Sequence, residues 1–197
     1  MEYKNKRKLI VGFSLFFLLI VYLFKNLSST LRTFGFIFGI LIFYILDHMF
    51  KIDFKLKHYY YMMIILTGGM LLSPLYFIYP LYDKLLHFIM PIFGCGLVFY
   101  AISKKNLNLT WNLLITFMFI LSFLTLHEIG EYFLDMFWDM KLQGVYIGNI
   151  SQIHNLNLVM SQIDDTMMDL ILGVGGSLIF ILNKMGVHFY KTKNNKN

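Results

Sequence analysis

Long apolar runs, broken by short polar seams, constrain this chain more than anything else in it. Hydrophobic residues make up 58% of it and charged ones only 14%, with a mean hydropathy of +0.64. A soluble domain is nearer half apolar and a quarter charged. A spanning helix needs about 20 mainly apolar residues, with a working range of roughly 17–25. By that measure six spans are predicted, at about 9–24, 33–50, 59–79, 85–102, 111–135 and 166–183. The expected fold is all-α, a polytopic membrane helix bundle of about six transmembrane helices. One integral membrane domain over 1–190 is expected, followed by a polar, unstructured cytoplasmic tail at 191–197. The motif-bearing helices lie within 82–183.

Charge gives the orientation. Six spans put both termini on one side. The N-terminus, the 51–57 loop, Lys104-Lys105 and the C-terminal stretch hold four, three, two and four Lys or Arg, thirteen of the seventeen. Lys25, Arg32, Lys84 and Lys141 remain for the other side. Positive loops mark the cytoplasm, so the chain is expected in the cell membrane, multi-pass, with both termini inside. The net charge of +6 does not indicate nucleic acid, because its carriers fall between apolar spans. The first span follows a basic start, as in a signal peptide, but no small-residue cleavage site follows it; an uncleaved helix is expected. The single Cys95 lies in an apolar run and offers no intrachain disulfide. Membrane lipid is the expected partner, and oligomeric state is open.

The acids sort the opposite way. Eight of the eleven lie on or near the outer side: Asp83, Glu128, Glu131, Asp135, Asp139, Asp164, Asp165 and Asp169. Acids contribute little to orientation, so this bias needs its own cause. Helical neighbours are three and four residues apart. Asp83 and His87, then His127, Glu131 and Asp135, then Asp165 and Asp169 form i,i+4 rows. Glu128 sits three before Glu131. His87 and Asp169 lie about one turn inside their predicted helix starts, roughly 6 Å at 1.5 Å per residue. Three helices thus bring ionisable groups to one level below the outer surface. Such groups usually face a bundle interior or a water-filled cavity.

Structural readings stand beside functional ones. Helix starts favour acids, so Asp83 and Asp164 or Asp165 can act as N-caps. Capping does not explain Asp169, and it fails for Glu128, Glu131 and Asp135, at the C-terminal end of the fifth span, where the helix dipole disfavours anions. His127-Glu128 starts like a zinc HExxH signature, but Glu131 replaces the second histidine. A divalent metal remains open as cofactor: Mg²⁺ or Mn²⁺, or zinc or iron with more histidine. The candidate metal set is His87, Glu128, Glu131, Asp165 and Asp169. The candidate catalytic set is Glu131, Asp169 and His87, with Asp83, Lys84 and Asp165 as substrate-binding residues. His48, His58, His154 and His188 are assigned to interfaces, and Gly173, Gly175 and Gly176 to close helix approach. The long 136–163 connection is expected to cap the outer face or to carry a short interfacial helix.

Three ordered motifs carry a family resemblance: Tyr82-Asp83-Lys84-Leu85-Leu86-His87-Phe88, Glu128-Ile129-Gly130-Glu131, and Asp165-Thr166-Met167-Met168-Asp169 with Gly176 seven residues on. In these the chain, over about 82–176, resembles the YjdF-like family of uncharacterised membrane proteins. Tyr132 and Asp164 stand where that family usually carries tryptophan. A looser likeness is to the VanZ-like family, through Asp-Lys-x-x-His-Phe and a late Asp before Gly. Neither resemblance implies a reaction. Three functions are compatible with the residues: an enzyme acting on a lipid or lipid-linked headgroup at the outer leaflet with metal assistance, a proton- or cation-coupled transporter, or a structural subunit. The nearly apolar deeper halves of spans four to six favour a one-sided pocket.

Overall fold

A computed structural model describes residues 2–24, 27–148 and 156–194, with side chains from 3–19, 30–148 and 156–194. Lys25, Asn149, His154 and Lys196 lie outside the described residues. The chain forms two compact units, Met1–Ser73 and Pro74–Asn197. Both are helical, as expected for a membrane bundle. Four helical stretches among the described residues are long and apolar enough to cross a membrane: Thr30–Met49, Tyr82–Ser103, Leu109–Trp138 and Gln162–Asn194.

The first unit contains helices α1 (Glu2–Phe24), α2 (Leu27–Met49) and α3 (Leu56–Leu66). The third predicted span, 59–79, is not one regular helix. It is α-helical only as far as Leu66, passes into a π-helical turn at Thr67–Leu71, and then into a 3-10 segment at Ser73–Phe77. Gly68 and Gly69 are poor helix formers. Pro74 lacks an N–H and its ring clashes with the carbonyl four residues back.

A buried ionic staple ties this unit together at one end. The Lys6 ammonium donates to Asp47 Oδ2 at 3.1 Å and Asp53 Oδ1 at 3.3 Å. The Tyr59 hydroxyl donates to Asp47 Oδ2 at 2.7 Å, and the Phe54 N–H to Asp47 Oδ1 at 2.9 Å. Lys6, Asp47 and Tyr59 are wholly buried. His58, expected at an interface, is buried too; its Nδ1 accepts from the Lys55 N–H at 3.0 Å. Burial, then Lys57 and Lys55, push its pKa down to about 4. The neutral ring that this acceptor role requires is therefore the favoured form.

The second unit packs α4 (Tyr82–Ser103), α5 (Leu109–Trp138) and α6 (Gln162–Asn194). Asn108 caps α5, its side chain accepting from the Trp111 N–H at 3.0 Å. The cap of α6 is Ser161, not Asp164 or Asp165. Its Oγ accepts from the Asp164 N–H at 3.3 Å, as an N-cap serine does, while its hydroxyl donates to the Asp164 carboxylate at 2.6 Å. Nor does Asp83 cap α4, whose N-cap position is Leu81 with no side-chain cap. Helix α6 runs on to Asn194, so 191–194, expected as an irregular tail, are helical.

Among its described residues, the long connection is partly extended. Strands β1 (Val145–Ile147) and β2 (Asn157–Met160) pair antiparallel, with Val145 opposite Met160 and Tyr146 opposite Leu158. The β-branched and aromatic residues of Val145-Tyr146-Ile147 suit a strand.

Small residues set how closely the helices approach, as expected for Gly173 and Gly176; Gly175, also assigned that role, makes only ordinary contact with Phe88. A Cβ on Gly176 would lie 2.1 Å from the Phe88 carbonyl oxygen of α4, and one on Gly173 would lie 2.5 Å from Leu124 Cδ1 of α5. Below the polar end, Cys95, Ile120 and Leu124 form a buried apolar cluster with Val98, Leu170 and Phe180 against it. Outward-facing Phe119, Phe123, Leu126, Phe133, Phe137 and Leu182 are exposed, as lipid-facing residues of a spanning bundle are.

Candidate functional site

The start of α4, the end of α5 and the start of α6 converge in the second unit, and their ionisable side chains meet. The i,i+4 spacing aligns Asp83 with His87 on α4 and Asp165 with Asp169 on α6. Lys84, next to Asp83 in sequence, projects between the two helices. Its ammonium contacts Asp83 Oδ2 at 3.1 Å, Asp169 Oδ1 and Oδ2 at 2.8 and 2.7 Å, and Asp165 Oδ1. Lys84, Asp165 and Asp169 are buried. Lys84, one of the three residues expected to bind substrate with Asp83 and Asp165, is here an internal counter-ion held by three carboxylates.

His87 lies on the other side of Asp83, its Nε2 3.5 Å from Asp83 Oδ1 and its Nδ1 3.7 Å from Glu128 Oε1. The second separation is too long for a hydrogen bond. Nδ1 of His87 and both Glu128 oxygens are buried without a hydrogen-bond partner. An orphaned buried polar group costs about 1–3 kcal/mol, more if charged, so this pair is held here at a cost in stability. The imidazoles of His87 and His127 stack at 5.5 Å between centroids, and His127 Nε2 lies 3.5 Å from Glu131 Oε1. His127 is half exposed while Glu131 is largely covered.

Asp135 has a different task. Its two oxygens accept from the N–H groups of Leu142 and Gln143, each at 2.8 Å. The dipole conflict expected at the end of α5 is resolved there by backbone donors. Because α5 continues to Trp138, Glu128 and Glu131 lie two turns or more inside it, beyond the last turn where the dipole acts. Asp165 Oδ2 accepts from the Gly144 N–H at 2.8 Å. Residues 142–144 therefore form a strap pinned to α5 by Asp135 and to α6 by Asp165. Gly144 has φ +87°, and a Cβ there would lie 3.2 Å from the Met160 carbonyl oxygen.

All seven candidate residues, Asp83, Lys84, His87, Glu128, Glu131, Asp165 and Asp169, lie in this one region. One ligand atom each from Asp83, His87 and Asp169 falls within 4.8 Å of the others, a group able to hold a metal ion. Two contributors lacked a sequence signal. Tyr76, from the 3-10 segment, lies within electrostatic reach of Asp83, Glu131 and Asp169 but sits in a stretch that reads as membrane span. Gly144 contributes only its backbone.

A family model described as "Predicted membrane protein (DUF2238)" matches residues 7–188. The chain belongs to that family. It is the YjdF-like grouping to which the motifs point, and the match extends well beyond 82–176, across both units. This member of the family is therefore a membrane protein. No curated protein and no solved structure matches the chain.

Proposed function

We propose that the Asp/Glu/His pocket opens at the outer face of the cell membrane and acts on a lipid or lipid-linked headgroup with the assistance of a divalent cation. One observation carries the reading. Five largely or fully buried carboxyl groups gather in this region: Asp83, Asp165 and Asp169 share the Lys84 ammonium, and Glu128 and Glu131 lie against His87 and His127. Buried charge must be paired or neutralised, so the region has room for positive charge from outside. A metal ion supplies it, and so does a cationic headgroup. Glu131, beside the half-exposed His127, is placed to accept a proton from an incoming group, and His87 and Asp169 to orient the reacting centre. When bound, a divalent ion polarises a phosphoryl or carbonyl oxygen.

A transporter is less well supported. The apolar cluster of Cys95, Ile120 and Leu124 lies one to two turns beyond Glu128 and His87 and closes the interior. A relay needs polar groups through that layer.

Two experiments test the reading. Lipid extracts from cells expressing the protein, and from cells expressing Glu131→Gln or Asp169→Asn at equal membrane levels, are compared by mass spectrometry. A headgroup-modified species tied to the unmodified protein is expected to drop at least tenfold in both variants. Identical lipid profiles in all three overturn the reading. The orientation has its own check. Asp139→Cys, at an exposed position beside the strap, should react with a membrane-impermeant maleimide on intact cells, and Lys104→Cys only after permeabilisation. The reverse pattern places the pocket on the cytoplasmic side.

A further inference from the structure

We infer that Asp83, His87 and Asp169 ligate one divalent first-row metal ion, with Glu128 as the carboxylate behind the imidazole and Lys84 as the cation that holds the site together without it. This deepens the headgroup reading and rests on the same pocket. It differs from the set expected from sequence, because Asp83 enters and Asp165 leaves.

Three features of the geometry lead there. Asp83, His87 and Asp169 each offer a ligand atom within 4.8 Å of the others. Ligands on one ion at about 2.1 Å span no more than about 4.2 Å, so a small inward adjustment of the three side chains closes the set. Next, the two ring nitrogens of His87 have distinct surroundings: Nε2 faces Asp83, and Nδ1 faces Glu128 at 3.7 Å. A ligating histidine commonly donates its second N–H to a carboxylate, which fixes tautomer and ring orientation. Glu128 stands in that place, buried and unpartnered like His87 Nδ1, so an ion on Nε2 draws together the two groups left unsatisfied. Finally, Asp165 is already committed, to Lys84 and to the Gly144 N–H, and acts as an anchor.

The donor set is two carboxylates and one imidazole, without thiolate. Carboxylates suit Mg²⁺ and Mn²⁺ while imidazole suits zinc and iron; Mn²⁺ suits the two carboxylates, is itself a first-row ion and is paramagnetic, so it is the probe. Lys84 touches both oxygens of Asp169 and one of Asp83, so it opposes the ion electrostatically.

The full chain in detergent is titrated with Mn²⁺ alone, and the free-ion sextet is followed by electron paramagnetic resonance. About one ion per chain is expected. Pulsed measurements on bound Mn²⁺ should show an imidazole nitrogen coupling that His87→Gln abolishes. Asp83→Asn and Asp169→Asn should each weaken binding at least tenfold, Glu128→Gln by a factor of 10–100 as an outer-shell partner, and exposed Asp164→Asn not at all. Lys84→Met should bind at least tenfold more tightly. Less than half an ion per wild-type chain, or bound Mn²⁺ without nitrogen coupling, overturns the site whatever the variants do. No substrate enters these measurements. A metal-free chain that still alters lipid would remove the ion and leave the headgroup reading. A loaded chain with unchanged lipid profiles would do the opposite.

Discussion

Replacing Gly176 by valine is expected to keep α4 and α6 from packing. Even the first added carbon would lie 2.1 Å from the Phe88 carbonyl oxygen, and a backbone oxygen cannot turn aside as a side chain can. Overpacking usually costs about 1–3 kcal/mol. Here two helices must separate, so a loss at the top of that range or above is expected. Gly176→Ala carries the same clash, against a gain of only about 1 kcal/mol in helix propensity. Gly175 is the internal control. A Cβ there meets Phe88 at 3.8 Å, ordinary contact, and Gly175→Ala should be tolerated. The measurement is the thermal midpoint of detergent-solubilised protein, read by monodispersity after heating. A Gly176→Ala midpoint equal to that of the wild type would show that the close approach is not as drawn.

The second large effect lies in the other unit. Asp47→Ala removes the acceptor for the Lys6 ammonium, the Tyr59 hydroxyl and the Phe54 N–H together. Breaking a buried ion pair from one side costs about 3–5 kcal/mol; the half-exposed Asp53 still faces the Lys6 ammonium at 3.3 Å, so a loss at the lower end of that range is expected. The partner test removes both charges. Lys6→Met with Asp47→Leu should recover the ionic part of the loss, since replacing a whole buried pair by apolar groups is often neutral or stabilising, but not the part due to the Tyr59 hydroxyl and the Phe54 N–H, which stay without their acceptor. Equal damage in the single and double variants would mean that Asp47 acts through Tyr59 and Phe54 rather than through Lys6. The same heated-monodispersity assay decides it.

Much of the site was legible because charge is costly in a membrane. Asp83, His87, Glu128, Glu131, Asp165 and Asp169 stand out in an apolar background, and the i,i+4 rows assign them to faces. Lys84 was visible, but its role was not. Its partners Asp165 and Asp169 are 81 and 85 residues away, and no local rule says which way a long side chain turns between two helices. The buried Lys6–Asp47 pair was missed for a related reason. Lys6 reads as one of four orientation charges, and nothing local distinguishes it from Lys4 or Lys8. The hairpin of β1 and β2 escaped because its strands are three and four residues long, too short for a periodic pattern.

Alone, the sequence determined that this is a helical membrane protein, roughly where its spans run, and that its acids gather at one end. These follow from hydropathy and from the price of burying charge, both of which act residue by residue along the chain. Tertiary structure decided which acid meets which cation: Lys84 with Asp83, Asp165 and Asp169, Asp135 with the strap, and His87 with an unsatisfied Glu128. Those pairings depend on the rotation and register of packed helices. At the α4–α6 contact, that register is set by a single missing methyl group at Gly176.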